Sequence, residues 1–250
     1  MERHQFELDA PGLDRAGTVI RYGHWGRPVV VFPSEQGRAW DYENNGMIDA
    51  ISNLIQGGRV KVYCVDSFDH VTWSDRSQPL EERARRHGAY ANWITEHVMP
   101  AVAADSGGSL GDGAIATGCS MGAYHALNFG LTRADLFPVA ICQSGSYDPS
   151  RWHAWGERGD ATYFNNPVDY VPNLHGEHLD WLRSRANILL IAGEGPWETH
   201  PTESLPQARQ MGAILEGKGI RHELDIWGHD SAHDWPWWQK QIAHHLPRFC

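Results

Sequence analysis

Short apolar runs of strand length recur along the chain, separated by amphipathic stretches. The runs fall at residues 29–32, 60–65, 114–117, 139–142 and 188–192 and are rich in Val and Ile, as buried strands are. Residues 222–227 alternate polar and apolar, the pattern of an edge or late strand. Between these runs, residues 47–56, 80–104, 122–131 and 204–218 carry apolar side chains at helical spacing. Asp105 and Gly107 mark the end of the second helix, and Gly217 and Gly219 that of the last. Strands alternating with helices predict an α/β fold: a mostly parallel central sheet covered by helices on both faces. Residues 5–8 and 18–22 are expected to add an antiparallel hairpin at its edge. Residues 147–185 form the longest piece without a strand pattern and are expected to be a cap-like insertion within a single domain spanning 1–250.

Length and charge narrow the picture. A chain of 250 residues is long enough for one well-buried α/β domain. Its net charge of −10 argues against nucleic acid or an anionic membrane as partner. No apolar run reaches membrane-spanning length, and Met1-Glu2-Arg3-His4-Gln5-Phe6-Glu7 has no apolar leader region, so a cytoplasmic protein is expected. The four cysteines show no CxxC or Cys/His spacing and are expected to be reduced thiols, three of them within strands or the turn after one. A homodimer stays open.

Chemistry enters at Gly118-Cys119-Ser120-Met121-Gly122. An apolar run precedes it and a helix-like segment follows. In that context G-x-S-x-G is a nucleophile elbow, which lifts the serine hydroxyl to the end of the sheet and aims a helix N-terminus at it. A second match, Gly107-Gly108-Ser109-Leu110-Gly111, has neither flank and is read as a loop. Catalytic groups in such a sheet gather beyond the C-terminal ends of the strands, in the chain order Ser, acid, His. The base should therefore follow residues 222–227, where His229 and His233 stand. His233 is preferred because it leads into a helix with Pro236 in its first turn. The acid should follow residues 188–192. That loop holds no aspartate but two glutamates, of which Glu198 is preferred and Glu194 is the alternative. The oxyanion hole needs backbone N–H groups. Met121 supplies one, and Glu35 is expected to supply the other, with Gln36 second. Trp152, Trp155 and Tyr163 in the insertion are candidates to line a substrate pocket. His229 and His233 lack the Glu and the continuous helix of a zinc-hydrolase motif, so no metal or organic cofactor is implied.

With these residues in place, the chain resembles the "putative esterase" branch of the α/β-hydrolases, which includes esterase D (S-formylglutathione hydrolase), feruloyl esterases, enterochelin esterases and mycolyltransferases. The resemblance runs over nearly the whole chain. Its landmarks include Val31-Phe32-Pro33-Ser34, the elbow, Gln143-Ser144-Gly145, Asn166-Pro167-Val168-Asp169-Tyr170 and His233-Asp234-Trp235. Two departures stand out: Cys119 precedes the serine where the family often has histidine, and glutamates occupy the acid loop where many members have aspartate. The resemblance implies a serine esterase acting on a small-molecule ester through an acyl-enzyme. The alternatives are an acyltransferase or thioesterase with the same triad, or a catalytically silent binding module.

Overall fold

The computed structural model describes residues 1–250. Its eight strands are β1 (Arg3–Leu8), β2 (Gly17–Tyr22), β3 (Arg27–Phe32), β4 (Val60–Val65), β5 (Ile115–Cys119), β6 (Val139–Gln143), β7 (Asn187–Gly193) and β8 (His222–Trp227). They form one sheet in the order β1-β2-β4-β3-β5-β6-β7-β8. β1 and β2 pair antiparallel and β2 pairs antiparallel with β4, while β3 to β8 are mutually parallel where they pair. The α/β architecture and the edge hairpin are thus as the pattern predicts. So is the position of the alternating run, since β8 is the far edge and stays partly exposed.

Both faces of the sheet are covered. The period of two sends alternate residues of one strand to opposite cores. Val30, Phe32, Tyr63 and Val65 join one core with the helices Leu80–Trp93, Met121–Thr132 and Ser204–Lys218; Val29, Val31, Val62 and Cys64 join the other. That second core is closed by the short helices between Asp41 and Gln56 and by the terminal helix Trp235–His245. Central strands β4, β5 and β6 are buried along their full length, which is why they read as unbroken apolar runs.

Two helices expected as continuous are interrupted. Residues 80–104 fold as Leu80–Trp93, a π-helical turn at Ile94–Val98, and Met99–Asp105. Pro100 lacks an N–H and its ring crowds the carbonyl four residues back, and the wider turn absorbs both faults. Residues 47–56 split at Ile51, whose φ of −117° and ψ of 14° leave the helical region.

The insertion at 147–185 folds as a string of short helical turns ending in the helix Gly176–Arg185. It is docked on the body rather than raised as a lid. Glu81 of the helix Leu80–Trp93 accepts the N–H groups of Gly159, Ala161 and Thr162 at 2.8, 3.0 and 2.9 Å and the Thr162 hydroxyl at 2.7 Å. Buried Arg83 donates to the carbonyls of Trp73, Trp152 and His153, each at 3.0 Å, fastening the start of the insertion to the loop after β4. No helix is long and apolar enough to cross a membrane.

Candidate active site

β5 ends in a turn at Ser120, with φ 57° and ψ −120°, and the helix Met121–Thr132 begins at the next residue. A non-glycine residue at this φ is strained, and the surrounding packing must hold it. Two glycines make the turn feasible. A Cβ on Gly118 would lie 2.5 Å from the Gly122 carbonyl carbon, and one on Gly122 would lie 2.2 Å from the Phe32 carbonyl oxygen. Ser120 N–H donates to the Gln143 carbonyl at 2.9 Å, tying the turn to β6. Ser109 sits in the turn before β5, with its Oγ accepting from Gly111 N–H at 3.1 Å, and takes no part in this arrangement.

Ser120 and Met121 open into a cleft of about 210 Å³. Glu35, Trp73, Arg76, Arg151, Trp152 and Gln207 are among the residues that line it. Most of the wall is polar. Arg151 pairs with Glu203 at 2.6 Å, whereas Arg76 has no carboxylate partner.

The candidate histidines and glutamates sort into two pairs. His233 lies in the loop between β8 and the terminal helix, and its N–H donates to the Pro196 carbonyl at 3.1 Å. Its Nδ1 is 3.7 Å from Glu198 Oε2 and 3.2 Å from Ser204 Oγ. The ring stands edge-on to Trp238 at 5.0 Å. Glu198 is completely buried. Its Oε1 accepts the Ser144 hydroxyl at 2.7 Å, and Ser144 Oγ accepts Trp238 Nε1–H at 3.0 Å. Oε2 has no other polar partner and faces the imidazole. Glu194 and His229 form the second pair at 3.6 Å, with the His229 side chain 87% exposed and Glu194 also paired to Arg209 at 3.1 Å. The acid loop and the histidine loop touch closely because Gly195 has no Cβ: one there would lie 1.7 Å from the Ser231 carbonyl oxygen.

The Met121 and Glu35 N–H groups donate to no protein acceptor. Gln36 N–H is committed to Asp69 Oδ2 at 3.0 Å, which removes it as an oxyanion donor. Cys119 is buried behind the elbow, its Sγ 3.7 Å from Gln143 Oε1, and burial pushes its thiol well above the usual range.

The aromatic wall departs from expectation. Trp152 lines the cleft, its Nε1–H donating to Ser146 Oγ at 2.8 Å. Trp155 does not line it. Its ring is half exposed and its Nε1–H is taken by the Arg76 carbonyl at 3.0 Å, on the outside of the loop. Tyr163 does not line it either, because docking of the insertion on Glu81 carries it to a separate groove with Phe164, Tyr170 and Leu174. The second ring of the cleft is instead Trp73, edge-on to Trp152 at 5.6 Å. Trp73 follows β4, and the rule that sites form beyond the C-terminal ends of parallel strands could have pointed to it. Of the two serines that touch the buried pair, Ser144 falls in the Gln143-Ser144-Gly145 landmark, whereas Ser204 carries no signal in the sequence.

A family model described as "Putative esterase" matches residues 35–249. Among solved structures, the chain is similar to a ferulic acid esterase at 15% identity and TM-score 0.73, covering 99% of this chain and 97% of that one. It is similar to an S-formylglutathione hydrolase from Agrobacterium tumefaciens at 17% identity and TM-score 0.71, covering 98% and 93%. A fluorophosphonate-binding serine hydrolase of Staphylococcus aureus aligns at 12% identity and TM-score 0.71, covering 99% and 97%. At these identities the solved structures establish the α/β-hydrolase fold. No curated protein sequence matches the chain.

Proposed function

The chain belongs to the putative esterase family, and on that premise we propose that it is a serine carboxylic ester hydrolase using Ser120, His233 and Glu198. The observation that carries this reading is the completely buried carboxylate of Glu198, with one oxygen held by Ser144 and the other left facing His233 Nδ1. A buried carboxylate with an unspent oxygen toward an imidazole is costly unless that imidazole needs a counter-charge.

In this reading the steps are those of a serine triad. Ser120 Oγ attacks the ester carbonyl carbon while its proton passes to His233 Nε2, the nitrogen left free when Nδ1 faces Glu198. Glu198 holds the imidazole in that tautomer and stabilises the imidazolium. The carbonyl oxygen becomes an alkoxide held by the Met121 and Glu35 N–H groups. When the tetrahedral intermediate collapses, the C–O bond to the alcohol breaks and His233 gives its proton to the leaving oxygen. Water, deprotonated by His233, then attacks the acyl-enzyme and releases the carboxylic acid and Ser120. The 3.7 Å separation of Nδ1 and Oε2 is of the kind that tightens once charge develops on the ring. The small, largely polar cleft favours short or polar acyl groups over long alkyl chains.

The test is fluorophosphonate labelling with peptide mapping, together with turnover of short p-nitrophenyl esters. Label on Ser120, and loss of both label and turnover in Ser120→Ala, is the expected result. A folded wild type that takes no label and turns over no ester, thioester or acyl-acceptor pair would replace this reading with that of a binding module.

A further inference from the structure

The helix that starts at Met121 also carries His125, whose side chain is fully buried and plays no part in the steps above. Its Nε2 lies 3.3 Å from Asp69 Oδ1. Asp69, just beyond β4, is itself buried, and its other oxygen accepts Gln36 N–H at 3.0 Å. Gln36 stands at φ 56°, a strained value for a side-chain-bearing residue that this bond helps to hold. The Asp69 carbonyl also accepts Ser74 N–H at 2.7 Å, and Ser74 Oγ donates to Glu35 Oε1 at 2.7 Å. Asp69 therefore restrains Glu35 twice, through the next residue's backbone and through its side chain. On the other side, His125 lies one helical turn beyond Met121, on the same face of the helix.

We infer that the buried Asp69–His125 pair is a positioning device for the oxyanion hole, tying the loop that presents the Glu35 N–H to the helix that presents the Met121 N–H. This rests on the serine esterase reading. The hole works only if both donors are fixed before charge develops, to within a fraction of an ångström. The helix is rigid. The loop from Pro33 to Gly37 has few backbone bonds of its own, Gly37 N–H to Ser34 at 2.9 Å and Ser67 N–H to Gly37 at 3.2 Å. A carboxylate only accepts, so Oδ2 takes Gln36 N–H, Oδ1 takes His125 Nε2–H, and both oxygens are used. The rings of His87, Tyr90 and Tyr124 pack against His125 with centroids 5.2 to 5.3 Å away, keep water out and strengthen the bonds inside. Asp69 does not reach the cleft, so its effect on the reaction is through Glu35.

Three variants test this: Asp69→Ala, which removes the acceptor; Asp69→Asn, which keeps an oxygen for Gln36 N–H; and His125→Phe, which keeps ring volume but removes the donor. The readouts are kcat and KM for a short p-nitrophenyl ester, affinity for a trifluoromethyl ketone whose hemiketal oxyanion occupies the hole, and Tm. Misplacing one of two oxyanion donors should lower kcat in Asp69→Ala by roughly 10–100-fold with KM nearly unchanged, and lower ketone affinity in proportion. Asp69→Asn should retain most of both. His125→Phe should show the same split at roughly 3–10-fold, because Asp69 keeps its bond to Gln36. A folded Asp69→Ala with wild-type ketone affinity would overturn the inference, as would Asp69→Asn falling as far as Asp69→Ala. If Asp69→Ala does not fold, His125→Phe decides: unchanged kcat and ketone affinity overturn it. Failure of the esterase reading looks different, since wild type itself would then take no label at Ser120.

Discussion

Two histidine–glutamate pairs sit side by side in this protein, built from the same residue types at the same spacing. Glu194 and Glu198 are four apart on one loop, and His229 and His233 are four apart on the next. Yet Glu198 is completely buried and His233 nearly so, while the His229 side chain is 87% exposed. Burial changes what each pair can do. In the buried pair a carboxylate has been taken out of water, given one neutral hydrogen bond from Ser144, and left with its second oxygen toward the imidazole. Any positive charge arriving on that ring is stabilised in a low-dielectric setting. In the outer pair water and salt screen the charges, and Arg209 already shares Glu194. The loops supply two copies of one constellation, and packing alone sets them apart, shielding one pair from water and leaving the other in it.

The sharpest way to break this comparison is to remove each histidine. Losing the base of a serine triad lowers kcat by roughly 10⁴-fold or more, so His233→Ala should be nearly inert, while His229→Ala should stay within about twofold of wild type. Steady-state turnover of p-nitrophenyl acetate measures both, and a dead His229→Ala with an active His233→Ala would invert the assignment. Next come the acids. Glu198→Gln preserves shape but cannot stabilise an imidazolium, and should lower kcat by roughly 10²–10⁴-fold; Glu194→Gln should leave it unchanged. Equal effects in the two glutamine variants would mean that burial does not decide the role.

The same contrast shows how much was legible in the sequence. Strand runs and the elbow followed from periodicity, and with the parallel topology they put Ser120, both glutamates and His233 just beyond the ends of β5, β7 and β8. Hydropathy could not separate Glu198 from Glu194. It also points the wrong way at the decisive spot, since Trp197 is 62% exposed at φ 70° and the adjacent Glu198 is turned inward and buried. The reason lies in distant residues: Ser144 follows β6 and Trp238 is on the terminal helix, and only the folded chain joins them to the acid loop. The insertion was illegible for a similar reason. Its aromatic residues suggest a pocket, but Glu81 and Arg83, far away in sequence, fix the insertion at Gly159–Thr162 and at Trp152, and of the three rings only Trp152 reaches the cleft.

A smaller effect should come from the support of the buried acid. Ser144→Ala deprives Glu198 Oε1 of its donor and Trp238 Nε1–H of its acceptor, both in the interior. Leaving a buried polar group unsatisfied costs about 1–3 kcal/mol, so unfolding in urea should shift by that order. The loosened carboxylate should also reduce kcat by roughly tenfold, with KM little changed. Stability lost without any change in kcat would show that Ser144 supports the fold and not the orientation of Glu198.

The smallest effect is expected at the outer pair, and it tests the role of solvent directly. A double-mutant cycle on stability, with Glu194→Gln and His229→Asn singly and together, isolates the interaction of the two side chains. An exposed ion pair contributes about 0.2–1 kcal/mol at low salt. At about 1 M salt the Debye length falls to about 3 Å, so the coupling should drop below detection. Arg209 complicates the single variants but cancels in the cycle, since it is present in all four proteins. The matching cycle on Glu198 and His233 should keep its coupling at high salt, because no mobile ion can enter between a fully buried carboxylate and a ring packed against Trp238. A buried-pair coupling that also vanished with salt would mean that water reaches Glu198, and the physical distinction between the two pairs would be lost.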